Sequence, residues 1–350
     1  MAAPAAERYK PDSADTIVLR LGPPIDTAVP LEQQVARLVE RARSERDPRL
    51  AGRAEALLAL PLRSQDPSPS LLVAHADLLQ QRHAFAAALH SLERALTREP
   101  GNVRARLMRA QLLLVQGAYD RARPDCMALI AAGETVVGLA CRAQVGAALG
   151  DPRAGPLSDL ALRRAGALAP RVAAWAYGVR AELAQRRGDA LAAEVALRAA
   201  LAAAPQEEYA RIALADHLLA RGAAREALPL LDLERPSAGL LLRRVMALRA
   251  IGQPATQPLA ELRDLLALGA RRGERVHLRE EALLALDIEH DPARALALAQ
   301  ENFALQKELP DVRLLARAAV AARSVGAMQA LRAWLAASGY RDTVVEGLLA

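Results

Sequence analysis

The sequence predicts an all-α chain built as a solenoid of antiparallel helix pairs, and three observations carry that expectation. A two-helix pattern of about 34 residues recurs along the chain. Apolar residues are abundant at 53%, mostly Ala and Leu, while aromatics make up only 3%. That composition suits close helix–helix packing, where alanine lets backbones approach and leucine fills the gaps. The β-branched and aromatic residues that favour strands are scarce, so no sheet of consequence is expected.

The clearest unit lies at 174–205. Tyr177, Ala181 and Ala184 form one stripe of a 3.6-residue helix. Gly188-Asp189 breaks it, Ala193, Leu197, Ala200 and Leu201 mark the buried stripe of a second helix, and Pro205 stops that one.

The chain divides into an extended arm at 1–29, the repeat solenoid at 30–337 and a short tail at 338–350. The arm is Pro-rich, with one alternating run, Thr16 to Leu21. Pro30 suits a first helical position, and Val35, Leu38, Val39 and Ala42 then share a face. A partner helix starts at Asp47-Pro48 and ends near Pro61. The second unit runs from Leu71 and turns at Arg82-His83-Ala84, with Ala88, Leu92, Ala95 and Pro100 in its second helix. His83 stands where glycine is usual, and histidine visits left-handed angles more than most residues.

The third unit runs from Val103, turns at Gly117, and carries Pro124 early in its second helix. The fourth turns at Gly150 and ends at Pro170, and the fifth is the unit described first. The sixth turns at Gly222 and is cut short by Glu234-Arg235-Pro236-Ser237. The seventh turns at Gly252 and has a long second helix, about 258–272. A charged helix is expected from Glu274 to Glu289, followed by a partner to Leu309, and a last pair spans 311–337. In total this is eight hairpins and a terminal pair.

The spacing of Tyr177, Gly188, Ala193, Ala200 and Pro205 resembles the tetratricopeptide repeat family. The resemblance covers roughly 31–337 and is strongest in 71–134 and 174–231. It implies a right-handed superhelix whose first helices line a concave groove, and a non-catalytic scaffold or adaptor that binds a peptide or partner protein there. The chain is also similar to a group of bacterial repeat proteins through Tyr9-Lys10-Pro11, Asp47-Pro48-Arg49 and Val276 to Glu281. That second likeness implies no activity.

In the family register the groove presents Val73, Asp77, Arg104, Leu107, Met108, Gln111, Cys141, Gln144, Trp175, Val179, Glu182, Tyr209, Ile212 and Asp216. Asp77, Gln111, Gln144, Glu182 and Asp216 take one equivalent position in five successive units, a polar ladder suited to an extended backbone. Trp175 and Tyr209 take another, as large rigid contacts clear of the core. The family's Lys/Arg/Asn clamp for a terminal carboxylate is unmatched, since Leu107 and Gln111 accompany Arg104.

The net charge of +6 comes almost wholly from arginine, since Lys10 and Lys307 are the only lysines. Such a bias suggests a GC-rich bacterial genome. The arginines alternate with Glu and Asp, as in Arg41 to Arg46, which reads as a solvated face; nucleic-acid binding through them is the further alternative. No membrane insertion is expected, because no run of 18 apolar residues occurs. Met1 as a natural start places the chain in the cytoplasm, and residues 2–9 as a processed end place it in the periplasm. Cys126 and Cys141 read as free buried thiols, a disulfide requiring an oxidising compartment.

No phosphate loop, Cys-x-x-Cys or His-Glu-x-x-His motif occurs, so no enzyme, cofactor or metal is expected. The alternative function is an accessory metal site or enzyme using His277, Glu280 and Glu281, which fall within one helical turn. An ion-pair cluster with Arg275 and Arg279 is the favoured reading of those residues.

Overall fold

A computed structural model describes residues 29–350, apart from 46–47, 65, 165–168, 235, 272 and 274. The expectations for the N-terminal arm lie outside the described residues. The chain divides into two compact units at residue 65. In the first, α1 (Leu31–Glu45) pairs with α2 (Pro48–Leu58), burying Val35, Val39, Ala54 and Leu58.

The second unit, residues 66–350, is a succession of antiparallel pairs. They are α3 (Pro69–Gln81) with α4 (Phe85–Arg98), α5 (Val103–Val115) with α6 (Tyr119–Ala131), and α7 (Thr135–Ala148) with α8 (Ala154–Arg163). Next come α9 (Pro170–Arg186) with α10 (Ala190–Ala203), α11 (Glu208–Ala220) with α12 (Ala224–Leu231), and α13 (Ala238–Ala250) with α14 (Thr256–Arg271). Then α15 (Leu278–Leu283), extended by a π-turn at Leu284–Ile288, pairs with α16 (Pro292–Leu305). Last are α17 (Leu309–Ala321) with α18 (Val325–Ser338), and a closing α19 (Thr343–Leu349). Among the described residues there is no strand, and no helix is long and apolar enough to cross a membrane.

Each pair is held by the small-residue stripe of its second helix. Ala88, Leu92 and Ala95 of α4, and Ala193, Leu197 and Ala200 of α10, are buried against the preceding helix and the one that follows. First helices end in a left-handed residue, which redirects the chain while the last amide N–H bonds back into the helix. Gly117, Gly150, Gly188, Gly222 and Gly252 supply it, and His83 does so at φ 57 without glycine's freedom. Asn102, Asp189, Ser237, Asp291 and Ser324 cap the starts of the helices that follow them.

Two expectations need correction. Cys126 and Cys141 are not free thiols: they form a disulfide between α6 and α7, with Cα atoms 5.4 Å apart. Helices α6 and α7 approach closely here, since a Cβ at Gly138 would lie 2.6 Å from Ile130 Cγ1. The charged helix starts at Leu278 rather than Glu274, because Gly273 takes φ 71 and the chain is still in a turn at Val276 and His277.

Candidate interaction surface

The polar ladder consists largely of residues engaged with their own chain. Asp77 is buried, and Arg104 of the next repeat donates to it at 3.1 Å. Gln144 Nε2 donates to Glu182 at 3.4 Å, and Glu182 also pairs with Arg186 at 2.6 Å. Asp216 accepts from Arg243 Nε at 2.8 Å and Nη2 at 2.9 Å, and that guanidinium is buried. Gln111, Leu107, Met108 and Ile212 are half-buried. The ladder thus links successive repeats as well as lining a surface.

Three positions differ from the expected groove. Val73, Cys141 and Val179 are buried core residues, Cys141 through its bond to Cys126 of α6. Trp175 does not stand clear of the core: it packs half-buried against the cluster of Leu139, Ala140, Ala161 and Ala176. Tyr209 alone of the paired aromatics is exposed, at 53%. The Tyr209 hydroxyl has a raised pKa, first from desolvation and then from the carboxylates Glu308 and Glu182, with Arg279 opposing. Glu308 and Arg279 belong to repeats well downstream of α11, so groups distant in sequence act on the Tyr209 hydroxyl.

The charged groups that act on the Tyr209 hydroxyl are the carboxylates of Glu308, Glu182 and Asp311 and the guanidinium of Arg279. Glu182 pairs with Arg186, Asp216 and Glu280 with Arg243, and Glu308 and Asp311 with Arg279. Arg279 donates to both oxygens of Asp311, at 2.6 and 2.8 Å, and to Glu308 at 2.7 Å. Burial works against the charge on Arg279, and the two carboxylates override it, holding its pKa well above the ordinary value. Burial raises the Glu308 carboxyl against the pull of Arg279.

Of the residues of the metal-site alternative, Glu280 lies 3.6 Å from Arg243; the neighbouring Arg275 pairs with Glu301 and Arg279 with Glu308. Among the described residues no group of three His, Cys, Asp or Glu side chains is placed to hold a metal ion. Many arginines are likewise engaged: Arg106 and Arg109 share the fully buried Asp125 at 2.7–3.1 Å, and Arg142 and Arg153 share Asp151.

The sequence reading missed a second assembly. Residues 306–346 run along the ends of the first helices of four successive repeats. Gln306 Nε2 lies 3.4 Å from His83 Nδ1, and the Lys307 N–H donates to the Val115 carbonyl at 2.6 Å. The Arg341 N–H donates to Ala148, Arg313 to Gln185 at 2.8 Å, and the Thr343 hydroxyl to Arg186 at 3.0 Å. The last carbonyls of a helix have no partner within it, and here three helices receive theirs from one distant segment. Arg186, 6% exposed, also lies 4.4 Å over the Tyr340 ring and donates to the Arg341 carbonyl. Tyr119, Tyr340, Trp334 and Phe303 form a row with successive ring centroids 5.0–6.3 Å apart. The one available signal was the concentration of aromatics in the last 50 residues of a chain with only two Phe, two Trp and five Tyr.

His83 carries a measurable consequence of this seam. Its pKa is lowered to about 4, first by burial and then by Arg279 and His277, with Asp311 opposing. The unfolded chain, with an ordinary histidine near 6.5, binds the proton more readily between those values. Stability should therefore be full above pH 6.5 and fall as pH drops toward 4. Urea unfolding at stepped pH should show about one proton taken up on unfolding in this window, and His83→Asn should flatten the slope. An unchanged slope in that variant would remove His83 as the cause.

Residues 79–124 match the tetratricopeptide repeat family model. Among solved structures, a tetratricopeptide repeat protein from Parabacteroides merdae is 18% identical, with a TM-score of 0.42, covering 82% of this chain and 99% of that one. The TPR domain of P58(IPK) is 15% identical, with a TM-score of 0.28, covering 80% of this chain and 96% of that one. A comparison with curated proteins yields no match. The paired helices, their buried small-residue stripes and their left-handed turns define a helical-repeat protein. The segment 79–124, from the end of α3 into α6, is the part of it that is similar to the tetratricopeptide repeat family.

Proposed function

We propose that this protein is a non-catalytic scaffold that binds an extended, cationic segment of a partner protein inside its superhelical turn. Tetratricopeptide repeats as a class serve protein–protein interaction, and the observation that carries the specific reading is Tyr209. It is a large aromatic exposed on α11, and three carboxylates and one guanidinium act on its hydroxyl. Such a side chain contributes no packing to the hairpin core and suits a Lys- or Arg-bearing segment through its π-face and its acidic surroundings.

The test uses labelled extended peptides that are basic, neutral or acidic around one apolar residue. Basic peptides should bind, with affinity falling as salt rises. Tyr209→Ala should weaken them at least tenfold while leaving Tm nearly unchanged, since interface anchors contribute about 2 kcal/mol or more. Equal binding of all three peptide classes, or normal binding to Tyr209→Ala, would sink the proposal. Trp175 is no substitute probe, because its packing on the core makes Trp175→Ala a stability variant as well.

A further inference from the structure

The seam adds bonds between distant segments to the contacts inside the hairpins. It is held by hydrogen bonds to helix-end carbonyls, by Arg186 donating to the Arg341 carbonyl at 3.1 Å, and by the buried contact of Tyr340 with Tyr119. Its hydrogen bonds can be exchanged for bonds to water without unpacking a hairpin. A cleft of about 540 Å³ runs along it, bordered by Leu149, Asp151, Leu183, Arg187, Arg341 and Glu346. The covering also stops abruptly. A Cβ at Gly117 would meet Lys307 at 3.0 Å and one at Gly150 would meet Arg341 at 3.0 Å, yet nothing lies within 4 Å at Gly222 or Gly252. Between those two turns lies α12, shortened to eight residues with Pro229 inside it.

We propose that residues 306–346 form a releasable latch. The seam opens while the helices on both sides stay folded, bending the chain around α12–α14 and widening access to Tyr209. The gating role rests on the binding reading above; the opening itself does not, and its test uses no partner.

Two amides, those of Lys307 and Arg341, are bonded only across the seam, whereas the amides of Leu315 and Ala316 lie inside α17. In native-state hydrogen exchange the seam amides should exchange at least tenfold faster than those of α17. In a Trp175→Phe chain, Trp334 is the sole tryptophan and sits in the seam, so its fluorescence should change at lower urea than the helical circular dichroism. Arg186→Met should speed seam exchange further and leave α17 protected. If seam and α17 amides exchange together, or the two urea transitions coincide, the C-terminal repeats simply unfold as an end and there is no latch. Should Arg186→Met fail to fold, the exchange in the natural chain and the Trp175→Phe transition still decide.

Discussion

Asp311→Ala should cost about 3–5 kcal/mol of stability in the C-terminal repeats, the range for removing one partner of a buried ion pair. Asp311 is 1% exposed and accepts four hydrogen bonds: two from Arg279, one from Asn302 at 2.7 Å and one from the Glu308 N–H at 3.0 Å. The last of these closes a capping box at the start of α17. Removing the carboxylate leaves Arg279 with Glu308 and strips α17 of one half of its capping box. The charge left behind, more than the lost bonds, sets the size of the effect. Arg279→Met in the same chain should therefore recover part of the loss, which a double-mutant cycle in urea measures. A loss below about 1 kcal/mol for Asp311→Ala would mean that water reaches this network freely.

Ala193→Asp should be of similar size, about 4 kcal/mol, for a different reason. Ala193 is fully buried where α10 packs on α9, so a new carboxylate there is taken out of water. In an open repeat array such a break spreads only to sequence neighbours. Here α9 also receives Arg313 and Thr343 at its end. Hydrogen exchange should thus show lost protection in α9–α12 and also in α17–α19, while α3 and α4 keep theirs. Protection lost evenly along the chain would contradict this, as would loss confined to α9–α12.

The architecture was largely legible because its determinants are local. The Ala193–Leu197–Ala200 stripe, the Gly188 turn and the stop at Pro205 each act within one hairpin, and each repeats with its spacing intact. His83 in a glycine's place was also readable, since only a few residue types accept those angles. The start of α15 was misplaced because Arg275-Val276-His277 has helical composition while Gly273 keeps the backbone in a turn.

The inner surface was less legible. Residue type suggested that Asp77, Glu182 and Asp216 awaited a ligand, but whether a carboxylate is free depends on Arg104, Arg186 and Arg243 reaching it. Trp175 and Tyr209 share a register position yet differ in burial, because neighbouring Leu139 and Ala161 fill the space beside one of them only. The seam joins residues more than 120 apart, as Arg313 to Gln185 or Thr343 to Arg186. No period in the sequence encodes a contact between repeats that are not consecutive.

The disulfide between Cys126 and Cys141 changes how the array can come apart. A linear array behaves like a row of coupled spins, with an interface free energy at every junction and a domain wall free to settle at the weakest one. The bond spans the junction between the second helix of one repeat and the first helix of the next. A wall placed there would have to separate two helices that remain covalently tied 15 residues apart. The lowest-energy partly folded states therefore place their walls on either side of α5–α8, and those four helices melt as a single spin. In the reduced chain the junction regains its freedom, and two repeats that titrate together become two that titrate apart.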